Sequence, residues 1–148
     1  MGARRKGREL AVQALYQIDL RGEYSAEALH LFFEHTEGGE RAKEFAAALV
    51  ANVREQQERI DELITQTSEH WRFERLSPVD LNVLRVATSE FLQAPRQPTG
   101  VVIDEAIEIA RRFGTAESAL FVNGVLDQIA ARLGVKDPPS ERSAPDDG

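Results

Sequence analysis

Apolar residues recur at three- and four-residue spacing along almost the whole of this 148-residue chain, and no stretch alternates as a half-buried strand would. That pattern points to one fold class, an all-α bundle. Leu10, Ala14 and Ile18, with Ala11 and Leu15 beside them, mark a first helix over about residues 4–20, which Gly22 ends. Ser25 is placed to cap a second helix carrying Leu29, Phe32 and Phe33, and Gly38-Gly39 breaks it. A long third helix follows on one stripe through Phe45, Leu49, Val53, Ile60 and Leu63/Ile64, with its charged middle, Arg54 to Asp61, in solvent.

The second half restarts after His70-Trp71. Ser77-Pro78-Val79-Asp80 reads as a helix start: a hydroxyl to accept from unpaired N–H groups, a proline that lacks one, and an acid at the positive end of the dipole. The helix behind it is apolar most of the way round, from Val79 to Leu92, which predicts a central, buried helix. Val102, Ala106, Ile109, Ala110 and Phe113 define the next, with Gly114 suited to its C′ position. Thr115 caps a last helix carrying Val122, Val125, Leu126, Ile129 and Leu133. We expect six or so helices in two packed sub-bundles, about residues 1–68 and 69–134, forming one domain. Residues 135–148 are expected to be a disordered, acidic, Pro-rich tail.

Charge is distributed unevenly. The chain has 18 basic residues against 25 acidic ones, a formal charge of −7, yet Arg4, Arg5, Lys6 and Arg8 crowd the first eight positions with no acid among them. On a helix Arg4, Arg5 and Arg8 share one face and Lys6 points away. Arginine binds phosphate bidentately and stacks on bases, so a polyanion is the natural ligand for such a cluster. A solvated tail that merely aids solubility explains the charge pattern equally well, and a membrane-surface helix less well, because the apolar face here is Ala-rich.

The sequence contains little that suggests catalysis. With no cysteine there is no disulfide, thiolate metal site or thiol nucleophile. No apolar run approaches the roughly 20 residues of a membrane span, and Glu9 and Asp19 interrupt any leader-like stretch, so a cytoplasmic protein without membrane association is expected. Glu27 and His30 have the spacing of a di-iron ligand pair, but no second such pair exists, and a surface Glu and His one turn apart is the better explanation. Acidic pairs such as Asp61/Glu62 and Asp104/Glu105 read as helix-surface charges, and Gly-rich phosphate loops are missing. We expect no catalytic residue, no metal and no cofactor. Phe121-Val122-Asn123-Gly124 stands out, because Asn-Gly inside a helix costs about 1 kcal/mol or more. Gly124 would allow close helix packing, while Asn123 would offer its amide to a base edge or cap a loop.

Arg4-Arg5-Lys6 followed by Arg8-Glu9-Leu10-Ala11-Val12-Gln13-Ala14-Leu15-Tyr16 resembles the start of the bacterial NusB family. So do, in order, Val83-Leu84-Arg85-Val86-Ala87, Ile103-Asp104-Glu105-Ala106-Ile107-Glu108-Ile109-Ala110, Phe113-Gly114 and Phe121-Val122-Asn123-Gly124-Val125-Leu126-Asp127. The resemblance implies a non-catalytic transcription antitermination factor. Such a factor binds single-stranded boxA RNA together with NusE, a small-subunit ribosomal protein. It joins the RNA polymerase antitermination complex and suppresses termination on ribosomal RNA operons. It further implies RNA contacts at Arg4, Arg5, Lys6, Arg8, Arg85, Phe121 and Asn123, and NusE contacts at Tyr16, Leu20, Asp80 and Glu117. Leu120 stands where the family often has a basic residue, which removes one phosphate contact. Gly7 would loosen the arm until RNA binds. The competing reading, from the acidic bulk and Leu120, is a purely protein-binding helical scaffold. The oligomeric state is left open between monomer and homodimer.

Overall fold

A computed structural model describes residues 2–22, 24–68, 76–95 and 97–136. Among these residues there are seven helices and no strand: α1 (Ala3–Arg21), α2 (Ala26–His35), α3 (Glu40–Glu55), α4 (Gln57–Thr67), α5 (Pro78–Phe91), α6 (Thr99–Phe113) and α7 (Ser118–Leu133). The restart at His70-Trp71 and the expected tail from residue 137 onward lie outside the described residues. No described helix is long and apolar enough to cross a membrane.

Helix α5 is the axis of the fold. Every residue from Leu81 to Phe91 is buried, and α1, α3, α4, α6 and α7 all pack against it. Its start is built as the local chemistry predicts: the Ser77 hydroxyl accepts from the Asp80 N–H at 3.1 Å, and Pro78 occupies the first turn. Around this axis α1 pairs with α3, and α6 pairs with α7. The Ser25 hydroxyl caps α2 by accepting from the Ala28 N–H at 3.1 Å. Gly22 ends α1 in the left-handed conformation at φ 77°, and its N–H returns to the Ile18 and Asp19 carbonyls.

Four local expectations are corrected. The long third helix is two helices, broken at Gln56, whose backbone sits at φ −113° and ψ 19°. Both halves touch α5, but α3 also lies along α1 while α4 reaches α7, and the bend at Gln56 allows both. The turn carries Ile60 fully inside, so the charged stretch around it is not simply solvated. Gly114 is not left-handed, its φ being −98°. A side chain is excluded there because a Cβ would stand 2.4 Å from Ser118 Oγ and 2.8 Å from the Ala110 oxygen. The last helix starts at Ser118 rather than just after Thr115, and the Ser118 hydroxyl accepts from the Thr115 N–H at 2.9 Å.

The fourth correction exchanges the roles of two glycines. Gly7 does not loosen α1. A Cβ there would lie 2.7 Å from Phe45 Cδ2 and 2.9 Å from the Ala42 carbonyl oxygen, so Gly7 leaves the room that lets α1 lie close against α3. Gly124, the expected packing glycine, is exposed, with nothing within 4 Å of an added Cβ. The expected outcome is a pair of opposite shifts in thermal unfolding. Gly7→Ala lowers stability by about 1–3 kcal/mol through overpacking. Gly124→Ala raises it by up to about 1 kcal/mol from helix propensity alone.

Candidate nucleic-acid and partner interface

The basic start is the first turns of α1, already helical from Ala3 and engaged with the second half of the chain. Arg4 donates from Nη1 to Gln97 Oε1 at 3.3 Å. Arg5 makes a bidentate pair with Glu105 at 2.6 and 2.7 Å; its side chain is 41% exposed, the carboxylate only 5%. Lys6 runs on the other side, its stem against Gly38. Arg8 points inward: it is 1% exposed, forms a bidentate pair with Glu90 at 2.9 and 2.9 Å, and lies 5.6 Å from the centre of the Phe45 ring.

Arg85 is also an interior residue. Its Nε and Nη2 donate to Asp61 at 2.9 and 3.0 Å, and its Nη1 donates to Asp19 at 3.0 Å and to Asn82 Oδ1 at 3.1 Å. Asn82 completes the cluster by donating to Asp19 and to the Pro78 carbonyl. Burial works against the charge of Arg85. The hydrogen bond and charge of Asp61, and then those of Asp19, outweigh it and hold the guanidinium above its ordinary pKa.

Arg8 and Arg85, both expected as RNA contacts, are thus placed inside the fold rather than on its surface. Each guanidinium is sequestered with carboxylates, and reaching a phosphate would leave a buried anion behind. Glu90 and Glu105 are the partners that sequence reasoning missed. Glu105 in particular read as a surface charge, yet it is 4% exposed. Their position on helices packed next to α1 is visible only after folding.

Four of the other singled-out residues, Tyr16, Asp80, Glu117 and Phe121, line two adjoining depressions. Asp80 and Glu117 line a groove with Leu76, Ser77, Thr115, Ser118, Leu120 and Phe121. It thus holds two of the expected partner contacts and one of the expected RNA contacts. Leu120 is 79% exposed at its rim. One carboxylate oxygen of Asp80 is buried with no hydrogen-bond partner among the described residues. Beside it, Tyr16 lies in a second depression with Val12, Gln13, Phe32, Val79 and Phe113, and Val79-Asp80 joins the two. Leu20 stands one turn beyond Tyr16 on α1 and is 61% exposed. Asn123 is half-buried, with its Oδ1 inside and unpaired among the described residues.

His30 pairs with Glu34 at 3.0 Å on the surface of α2, and among the described residues no three potential ligands cluster.

Comparison with known proteins adds a family model, described as the NusB family, that matches residues 5–131. The transcription antitermination protein NusB of Sorangium cellulosum is 42% identical, covering 90% of this chain and 96% of its own. That of Geobacter sulfurreducens is 46% identical, covering 90% and 97%. Among solved structures, NusB of T. maritima superposes with a TM-score of 0.79 at 39% identity, covering 95% of this chain and 97% of its own. A chain from a structure of antitermination factors NusB and NusE in complex with dsRNA superposes with a TM-score of 0.76 at 28% identity, covering 89% and 98%.

The two kinds of basic residue separate in a stability measurement. Arg8→Ala strands Glu90 inside the fold and is expected to cost about 3–5 kcal/mol in denaturant unfolding. Lys6→Ala is expected to stay within about 0.5 kcal/mol of the parent.

Proposed function

The chain belongs to the NusB family, and on that premise we propose that it is a transcription antitermination protein that holds boxA RNA jointly with NusE. In this reading it joins the RNA polymerase complex and helps it resist termination on ribosomal RNA operons. It acts in the cytoplasm and carries out no reaction of its own.

One observation carries the reading: a helix end rich in cations and an acid-lined apolar groove are presented on the same set of helices, α1, α5 and α7. The cationic end suits a phosphate backbone. The groove has the opposite character. Asp80 and Glu117 supply charge, and in the adjoining depression Tyr16, Val79 and Phe113 supply apolar area, which suits a basic ribosomal protein.

We assign the roles as follows. Arg4, Lys6 and the outward side of Arg5 meet phosphates. Phe121 supplies an aromatic face for an unpaired base, and Asn123 an amide beside it. Tyr16, Leu20, Asp80 and Glu117 receive NusE. Arg8 and Arg85 serve both surfaces from beneath by fixing α1 on α5. Phe121 lines the same groove as Asp80 and Glu117, so an RNA base stacked on it would lie beside the protein partner, and the two would bind more tightly together than apart.

The test is titration of a boxA-containing RNA and a scrambled control, with and without NusE, across a salt series. Sequence-selective binding that NusE strengthens is expected. Arg4→Ala combined with Lys6→Ala should make the log–log salt dependence shallower by up to about 1.4, at roughly 0.7 per lost phosphate contact. Absence of selectivity in both conditions would refute the reading. A double variant that bound RNA like the parent would favour the protein-only scaffold.

A further inference from the structure

Two ion pairs cross the seam between α1 and α6, and both are oriented the same way. Arg5 of α1 pairs with Glu105 of α6, and Glu9 of α1 accepts from Arg112 of α6 at 2.9 Å. Arg5 and Glu9 are one helical turn apart on α1, about 6 Å along the axis at 1.5 Å per residue, and Glu105 and Arg112 are two turns apart on α6. In each pair the carboxylate is inside and the guanidinium outside: 5% against 41% exposed in the first, 4% against 55% in the second. The pairs are formally neutral, but what they present to solvent is a row of cations.

We propose that Arg112 is a further RNA contact, taking a backbone phosphate next along the seam from Arg5. The proposal rests on the RNA-binding reading above and extends its surface along α6. Three observations support it. Arg112 gives Nη1 to Glu9, and a guanidinium has five N–H donors, so its geometry is held while donors remain for a second anion. Its Cζ lies 5.1 Å from the centre of the half-exposed Phe113 ring, a stack that keeps the planar group from collapsing onto the helix. The location is also apt. Arg112 is tied to Glu9 of α1, one turn on from Arg5, and α6 ends at Phe113 a short turn before α7, the helix that carries Phe121. Arg111, its neighbour, is instead turned to Glu108 on the surface of α6.

The alternative is that Arg112 only neutralises the buried Glu9. One background separates the two. In Glu9→Gln the buried charge is gone, so Arg112 is no longer needed as a counterion. The experiment compares Glu9→Gln with Glu9→Gln/Arg112→Gln by anisotropy of a boxA-containing RNA in the presence of NusE across a salt series. NusE binding without RNA and thermal unfolding are measured alongside. The expected result is that Glu9→Gln keeps RNA binding. The double variant weakens it several-fold, with a log–log salt slope shallower by about 0.7, and leaves NusE binding and thermal unfolding unchanged. An unchanged slope in the double variant would overturn the proposal while leaving the RNA-binding reading intact. A loss confined to NusE binding would also overturn it, by assigning Arg112 to the protein face. A parent protein that bound no boxA-containing RNA would overturn both readings.

Discussion

Helix α5 takes two ionised side chains into the centre of the bundle, and both bind α1. Glu90, near the end of α5, holds Arg8 near the start of α1. Arg85, a turn earlier, holds Asp19 near the end of α1. The signs are opposite at the two sites, so the clasp has a polarity. Sliding α1 by one turn, or reversing it, would leave a charge buried without its counterion, an error that costs several kcal/mol. Apolar packing alone is more forgiving of such slips. The close approach of α1 and α3 at Gly7 and the spread of Tyr16 and Leu20 across the α1 surface both follow from this register.

This arrangement gives the N-terminal cluster two tasks. Within five consecutive positions, four of them basic and one glycine, the side chains alternate between solvent and interior with the turn of the helix. Lys6 and the outer side of Arg5 face outward, Arg8 is structural, and Gly7 is the contact point with α3. A net positive end is thus carried on a helix that is already formed. An RNA meeting it would not have to order the backbone first, which spares the roughly 1–2 kcal/mol per residue that folding on binding demands. The acidic groove is built on the same rigid parts, so the two surfaces keep a fixed relation to each other.

Much of the scaffold was legible from local chemistry. The periodicity of α1, the hydroxyl caps at Ser25 and Ser77, the end at Gly22 and the all-round apolar character of α5 all act within one or two turns, where sequence and structure correspond closely. The failures occurred where the deciding partner is remote. Arg8 and Glu90 are 82 positions apart, and an arginine destined for a buried carboxylate is written no differently from one facing water. Gly7 and Gly124 both read as helical glycines, and only the neighbour, Phe45 in one case and open space in the other, tells them apart. The break at Gln56 has no proline or glycine to announce it. It lets α3 follow α1 while α4 reaches α7, both still touching α5.

Helix α2 stands outside this framework. None of its residues is buried, although Leu29, Phe32 and Phe33 lean on the core, and no charged clasp ties it to α5. Its amide protons are therefore the ones to exchange first. The free energy of opening that segment is set by a hydroxyl cap and three half-covered side chains, not by the cooperative unit formed by α1 and α5. Opening it would uncover one wall of the Tyr16 depression, because Phe32 lines that hollow, while the rest of the bundle keeps its shape.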